Sequence, residues 1–309
     1  MNGFFDEPAR RTPVTHEADV LVVGGGTAGV AAAVAAARAG ASVLLAERTG
    51  SLGGLATGGL IILLLTLDDG RGRQAVGGLC QEVVDRLSAR GAALYPSREE
   101  WGRDDAALIE RDRRLGLVWG RSPHRVRYSV AYETEEMKAV LAELAREAGV
   151  ELLHHALACD PLLAGGRVEG VAFQGKQGRF AARARAVVDA TGDGDVFFAA
   201  GCAHESERVL PWLGLVVGGV DAADAAAAAG HGFRTVGEGR VLLPWGATEK
   251  VARRIDATSP EDLTYAELEC RRRAMAEFDR LRRDVPGFER AHVCRIAEQL
   301  GVTESRRLV

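Results

Sequence analysis

Three glycines and one glutamate near the start of the chain have the types and spacing of a phosphate-binding site. Gly24, Gly26 and Gly29 form a G-x-G-x-x-G motif. A turn without side chains lets a pyrophosphate approach the backbone, and a helix that starts there offers free N–H groups and partial positive charge. Glu47 ends the next apolar run, where a carboxylate can accept both hydroxyls of a ribose. The pattern predicts a dinucleotide site formed by Gly24, Gly26, Thr27, Ala28, Gly29 and Glu47.

A strand, a helix and a second strand must position this motif. The short β-branched run 19–23 predicts a buried parallel strand. The alanine-rich run 28–39 predicts a helix packed tightly on a sheet, and Gly40 follows where such a helix ends. The order strand, glycine turn, helix, strand is the context that the motif requires. The alternative interpretation is a glycine-rich turn that binds no ligand.

Two further segments favour FAD over NAD as the dinucleotide. A Gly-Gly-x-x-Thr loop at 53–57 follows the acidic residue, as is typical of FAD-binding domains of the two-dinucleotide-fold type. Short alternating runs between 159 and 182 predict a β-meander, and the strand 186–190 then ends in Ala-Thr-Gly. The additional cofactor contacts predicted from these segments are Arg48, Gly53, Gly54, Thr57, Ala190, Thr191, Gly192 and Asp195.

Composition limits the class of protein. The chain has 309 residues, about two domains, with 47% hydrophobic and 27% charged residues. Its net charge of −4 gives no general attraction to nucleic acid or to an anionic membrane. No C-x-x-C motif occurs, so neither a disulfide framework nor a metal site is indicated, and a reducing cytoplasm fits best. The longest apolar run, 60–65, is too short to span a bilayer, and the N-terminus lacks the apolar core of a signal peptide.

The expected architecture is α/β, with a Rossmann-like FAD-binding domain, a parallel sheet with an inserted β-meander, and a second α+β substrate or cap domain. We expect a loose tail at 1–17, the FAD-binding domain at 18–201 with an excursion at about 60–128, and the second domain at 202–309. Helical spacing and end signals predict helices at 81–90, 133–148, 222–229 and from a capping box at 264–267 to about 284, after an N-cap at Ser259. The polar stretch 97–125 predicts an irregular segment.

Taken together, the chain resembles the bacterial FAD-dependent oxidoreductases related to the fumarate reductase and succinate dehydrogenase flavoproteins. The segments that carry the resemblance lie at 19–40, 44–48, 52–57, 187–195 and 301–309. The resemblance implies that the backbone near Leu157 lies beside the adenine. It also implies non-covalent FAD, since no histidine stands near Thr57. Similar proteins continue past the Ser-Arg-Arg segment with a strand and helix that return to the flavin, so we expect an incomplete second domain, in a fragment or a natural variant.

The candidate catalytic residues are Arg306, Arg307 and His204. The resemblance implies that a guanidinium at 306 or 307 binds a substrate carboxylate or faces the negative charge of reduced flavin, and a structural ion pair is the alternative. His204, like its neighbour Glu205, is a candidate for proton transfer. The adjacent His154 and His155 are expected to point to opposite faces of a strand, which disfavours a joint metal or catalytic role.

The function predicted is FAD-dependent oxidoreductase chemistry, with hydride transfer to or from a small organic substrate. One alternative is a flavin-binding or inactive fragment without turnover. Another is a thiazole-synthase-like or tRNA-modifying flavoprotein, although the tRNA function needs a basic surface that the net charge does not supply. The expected partner is a small-molecule substrate, with no nucleic acid and no membrane, and a homo-oligomer is left open.

Overall fold

A computed structural model describes residues 3, 7–118, 125–221, 223, 226, 230–246, 253–302 and 304–309. The strands, numbered along the chain, are β1 Val14–Val23, β2 Val43–Glu47, β3 Leu63–Leu64, β4 Ala93–Leu94, β5 Val130–Tyr132, β6 Glu151–His154, β7 Leu157–Ala164, β8 Arg167–Gly175, β9 Gly178–Asp189, β10 His204–Ser206, β11 Trp212–Gly218, β12 Phe233–Arg234, β13 Val241–Gly246, β14 His292–Ile296 and β15 Arg306–Leu308. The α-helices are α1 Thr27–Arg38, α2 Leu79–Ala89, α3 Ala106–Arg114, α4 Thr134–Glu147, α5 Asp195–Ala199 and α6 Pro260–Asp284.

The chain divides into two compact units. The first contains residues 1–50, 145–204 and 308–309, and the second contains residues 51–144 and 205–307. The predicted excursion at 60–128 therefore belongs to the same unit as most of 202–309. As an assignment of functional domains, the boundaries 18–201 and 202–309 stay a prediction.

The first unit is built on a six-stranded sheet in the order β6-β2-β1-β9-β8-β7. Strands β6, β2, β1 and β9 run parallel, and β7 and β8 form the antiparallel meander beside β9. Leu21, Leu44 and Phe173 are at most 1% exposed and pack in one apolar cluster. Burying each side chain of this size contributes about 1.5–3 kcal/mol. The α/β class and the parallel sheet with an inserted meander are confirmed.

Two boundaries in this sheet differ from the sequence prediction. The runs predicted as a third meander strand and a separate strand at 186–190 are one continuous strand, β9. Because β9 is long, its early residues pair with the N-terminal segment, where Val14 lies opposite Ala181 and His16 opposite Ala182. The predicted tail at 1–17 is therefore wrong for its last four residues, since β1 begins at Val14.

The second unit contains the four-stranded sheet β12-β13-β11-β14 and the small sheet β3-β5-β4. Helix α6 buries one face, whose residues recur every three or four positions: Ala266, Cys270, Ala274, Phe278 and Leu281. The predicted helices at 81–90 and 133–148 are confirmed as α2 and α4. The predicted capping box at 264–267 is wrong, because α6 already begins at Pro260, where the Ser259 hydroxyl accepts from the N–H of Asp262 at 3.2 Å.

The sequence also predicts an irregular segment at 97–125 and a helix at 222–229. The stretch 97–125 is less irregular than predicted, since it contains α3, capped by the Asp105 carboxylate. The predicted helix at 222–229 lies outside the described residues except for positions 223 and 226. No helix in the described part of the chain has both the length and the apolar character needed to cross a membrane.

Candidate functional site

Two of the three motif glycines are required by the packing of the chain itself. Gly24 has a φ of +102°, and a Cβ there would lie 2.3 Å from the carbonyl oxygen of Ala190. A Cβ on Gly29 would lie 1.9 Å from the carbonyl oxygen of Gly24. Both distances are too short for any side chain. The turn after β1 therefore packs closely against the end of β9 and the first turn of α1. The sequence predicts such close packing of helix and strand at Gly29.

Gly26 is different, because nothing in the chain requires a glycine there. Its φ of −63° and ψ of 177° suit any residue, and a Cβ would meet no atom within 4 Å. Gly26 is the N-cap of α1, and its carbonyl accepts the N–H of Val30 at 2.9 Å. The first turn of α1 has no acidic residue and no side-chain cap, and Thr27 and Ala28 are exposed. Open space beside free helix N–H groups is the arrangement that binds a phosphate.

Glu47 is buried at the end of β2, with 7% exposure. Its Oε2 accepts the N–H of Gly25 at 2.6 Å, and its Oε1 accepts the N–H and the hydroxyl of Thr49 at 2.7 and 2.8 Å. A carboxylate offers about four acceptor positions. These three bonds leave one position, on Oε2, so acceptance of a second ribose hydroxyl requires that an internal bond be replaced.

The adenosine-side candidates Arg48 and Leu157 also lie in the first unit. Arg48 is the residue after β2 and is exposed. Leu157 is 51% exposed at the start of β7. The preceding residue, Ala156, donates its N–H to the carbonyl oxygen of Glu47 at 3.0 Å. This bond brings the backbone beside Leu157 to the edge of the sheet that carries Glu47.

The turn after β9 is organised by Asp189, a residue that the sequence analysis missed. Its Oδ1 accepts the N–H and hydroxyl of Thr191 at 3.1 and 2.7 Å, and its Oδ2 accepts the N–H groups of Val196 and Phe197 at 3.0 and 2.9 Å. The Thr191 hydroxyl in turn accepts the N–H of Asp195 at 2.8 Å. One carboxylate therefore holds the segment that contains the predicted contacts Ala190, Thr191, Gly192 and Asp195.

The loop 53–57 lies in the second unit and is fastened from within. Gly53 has a φ of +106°, and a Cβ there would lie 2.4 Å from Cγ2 of Thr57. Thr57 is 1% exposed, and its hydroxyl donates to the carbonyl oxygen of Leu52 at 2.8 Å. The Thr57 hydroxyl thus stabilises the turn of Gly53 and Gly54 and does not face solvent.

Tyr132 holds the next part of the same loop and was also missed by the sequence analysis. Its hydroxyl lies 2.8 Å from the carbonyl oxygen of Ala56 and 2.5 Å from that of Ile61. Burial raises the pKa of Tyr132, so the hydroxyl keeps its proton and remains a donor. A tyrosine on β5 therefore fixes the path of the chain after the Gly-Gly-x-x-Thr segment.

The candidate catalytic residues lie in three different settings. Arg307 is 62% exposed, with its guanidinium 3.6 Å from the Glu304 carboxylate and 3.9 Å from that of Glu207. Arg306 is half-buried. The pKa of Asp256 is lowered mainly by hydrogen bonds from Thr258, and the positive charge of Arg306 lowers it further. The His204 ring packs edge-on against Phe198, and its Nδ1 lies 3.0 Å from the carbonyl oxygen of Cys202.

The first unit therefore brings together the glycine turn, Glu47, Arg48, the backbone beside Leu157 and the turn held by Asp189. The predicted positions 53, 54 and 57 and the two arginines belong to the second unit. Across the described ranges, no group of three or more His, Cys, Asp or Glu side chains could hold a metal ion.

Parts of the chain are similar to known proteins. The chain is similar to the digeranylgeranylglycerophospholipid reductases 2 and 1 of Methanopyrus kandleri, at 33% identity over 183 residues and 34% over 178 residues. Each match covers 57% of this chain but only 38% and 40% of the relatives, so the chain spans about two fifths of the length of the curated relatives it matches.

Solved structures show the same fold at lower identity. A geranylgeranyl bacteriochlorophyll reductase-like protein from Thermoplasma acidophilum has a TM-score of 0.53 at 17% identity, over 93% of this chain and 66% of that one. The L-amino acid deaminase of Proteus myxofaciens has a TM-score of 0.55 at 17% identity, over 95% and 82%. The family model described as FAD dependent oxidoreductase matches residues 19–209 of the 309. Since this match covers more than half of the chain and includes the glycine turn and Glu47, the chain belongs to the FAD-dependent oxidoreductase family.

Proposed function

We propose that this chain binds FAD non-covalently through the glycine turn, the N-terminus of α1 and Glu47, and that it serves hydride transfer to or from a small organic substrate. Gly26 carries the proposal. Neither its backbone angles nor its neighbours require a glycine, yet a side chain there would project into the space beside the free N–H groups of α1. A ligand that approaches this backbone closely supplies the missing reason.

The residues of the first unit have distinct parts in this proposal. The N–H groups at the start of α1 donate to the pyrophosphate, and the helix dipole adds partial positive charge. The free position on Oε2 of Glu47 accepts one hydroxyl of the adenosine ribose. Asp189 holds Thr191 and the start of α5 in place. When bound, FAD supplies the hydride chemistry, while the protein contributes binding and orientation.

The test is to purify the chain, record its absorption spectrum and precipitate the protein with acid. We expect a flavin band, and FAD in the supernatant on chromatography. Flavin that stays with the precipitate would contradict the non-covalent mode. Recovery of NAD without any flavin would contradict the proposed site as a whole.

The direction of the reaction is the finer part of the proposal. The two curated relatives are named as reductases, which favours reduction of the substrate by the reduced cofactor. The flavin of the purified chain would be reduced without oxygen and mixed with candidate organic acceptors. Return of the oxidised flavin spectrum with one acceptor supports turnover, and no return with any acceptor favours a flavin-binding protein without turnover.

Three more specific points remain predictions. They are the specific relation to the fumarate reductase and succinate dehydrogenase flavoproteins, a cytoplasmic location, and self-association. A reducing compartment is supported by the cysteines, because each of Cys80, Cys159, Cys202, Cys270 and Cys294 is unpaired.

A further inference from the structure

We infer that His154 is a positioning residue for Glu47, acting through the backbone of Thr49. The inference rests on the proposed function, in which Glu47 accepts a ribose hydroxyl of FAD. His154 is the last residue of β6 and lies directly opposite Glu47 in the parallel pair of β6 and β2. The two side chains therefore lie on the same face of the sheet, and Thr49 joins them in the hydrogen-bond network.

Thr49 is held from both sides. Nδ1 of His154 lies 3.0 Å from the carbonyl oxygen of Thr49. A carbonyl oxygen can only accept, so Nδ1 must carry the proton in this bond. On the other side, the N–H and the hydroxyl of Thr49 both donate to Oε1 of Glu47. The imidazole thus fixes the residue that supplies two of the three hydrogen bonds to the Glu47 carboxylate.

This arrangement determines which acceptor of Glu47 remains open. Oε1 already accepts two donors from Thr49, and Oε2 accepts the N–H of Gly25 at 2.6 Å. The remaining acceptor position is on Oε2, and its direction depends on how Thr49 orients the carboxylate. Loss of the His154 bond would remove one restraint on the backbone of Thr49, and the open acceptor of Glu47 would be less well pre-oriented for a ligand hydroxyl.

His155 supports the same turn in a different way. Its φ is +59°, and its ring lies against Gly50, where a Cβ would be 3.3 Å from Cε1. The expectation that both histidines lie on one strand and point to opposite faces does not hold, because β6 ends at His154 and the rings of both histidines lie against the turn 49–50. Only His154 makes a hydrogen bond within the network of Glu47.

The experiment is a double-mutant cycle on nucleotide affinity, with ADP as the probe for the adenosine end and FAD as the whole cofactor. His154→Ala should weaken ADP binding about fivefold, in line with the loss of one hydrogen bond. His154→Asn retains an amide donor near the Nδ1 position and should stay within about twofold of the parent. In a Glu47→Gln background, His154→Ala should have little further effect, because the residue acts through the carboxylate.

The controls separate positioning from folding and from the proposed function. Thermal unfolding of the nucleotide-free variants checks the fold. His292 is an exposed residue of β14 in the second unit, so His292→Ala is the matched histidine change and should alter neither reading. An equal loss from His154→Ala in both backgrounds, or no loss in either, would overturn the inference. If Glu47→Gln weakens binding and His154→Ala does not, only the positioning role fails. If Glu47→Gln itself has no effect, the ribose contact of the proposed function fails as well.

Discussion

Replacing Gly26 by alanine should separate ligand binding from folding. The added methyl group meets no atom within 4 Å, and the backbone angles of −63° and 177° are accessible to alanine. Alanine also restricts the unfolded chain, so the FAD-free protein should gain about 0.4–1 kcal/mol of stability. In the proposed complex with FAD, the same methyl group would occupy the approach of the pyrophosphate. Losing one charge-assisted hydrogen bond costs about 1.5–3 kcal/mol, which is roughly 10- to 150-fold in Kd.

The matched control is Gly29→Ala in the same motif. There the methyl group would lie 1.9 Å from the carbonyl oxygen of Gly24, so backbone must move, and we expect a loss of about 1–3 kcal/mol in the FAD-free protein. Urea unfolding of both FAD-free variants gives the stabilities, and quenching of flavin fluorescence gives the affinities. A destabilised Gly26→Ala protein, or one that binds FAD like the parent, would refute the reasoning.

Three further changes test the carboxylates. Glu47→Gln removes a charged acceptor and should lower FAD affinity by about 1.5–3 kcal/mol, measured by titration. Asp189→Ala leaves two N–H groups of α5 without their acceptor and should lower the free energy of unfolding by about 1–3 kcal/mol, measured in urea. Hydrogen bonds from Arg272 and Arg273 lower the pKa of Glu269 from 4.5 to about 2. Because the folded-state pKa is depressed, this stabilisation is fully present above about pH 4.5 and is lost as the pH falls toward 2. Acid unfolding of Glu269→Gln should lack this dependence, and an unchanged acid profile would contradict it.

The part of the site that the sequence predicts is local in the chain. The spacing of Gly24, Gly29 and Glu47 in the sequence is enough to predict their relative positions, because the strand, turn and helix between them have fixed geometry. The helix α1 follows from the same run of small residues. Family membership also follows from motifs of this kind.

What the sequence did not reveal depends on contacts that form only once the chain has folded. Asp189 stands at the end of an apolar run, and its four donors come from residues that reach it only once the turn into α5 has formed. The polar residues Arg183 and Arg185 suggest that a strand ends before 186. Strand β9 nevertheless continues through them, because β1 and β8 pair with it on both sides. The Thr57 hydroxyl points inward because packing within the buried loop selects that side-chain rotamer. Sequence spacing does not determine the rotamer.

Hydrogen exchange of backbone amides, with and without FAD, tests the central claim most directly. The proposed site predicts that FAD slows exchange in the segment 24–30 and in the segment 47–50, while the α6 segment 266–281, which lies in the second unit, changes little. The N–H groups at the start of α1 should show the largest protection, because they have no partner within the helix. FAD binding that leaves the segment 24–30 unprotected would contradict the account.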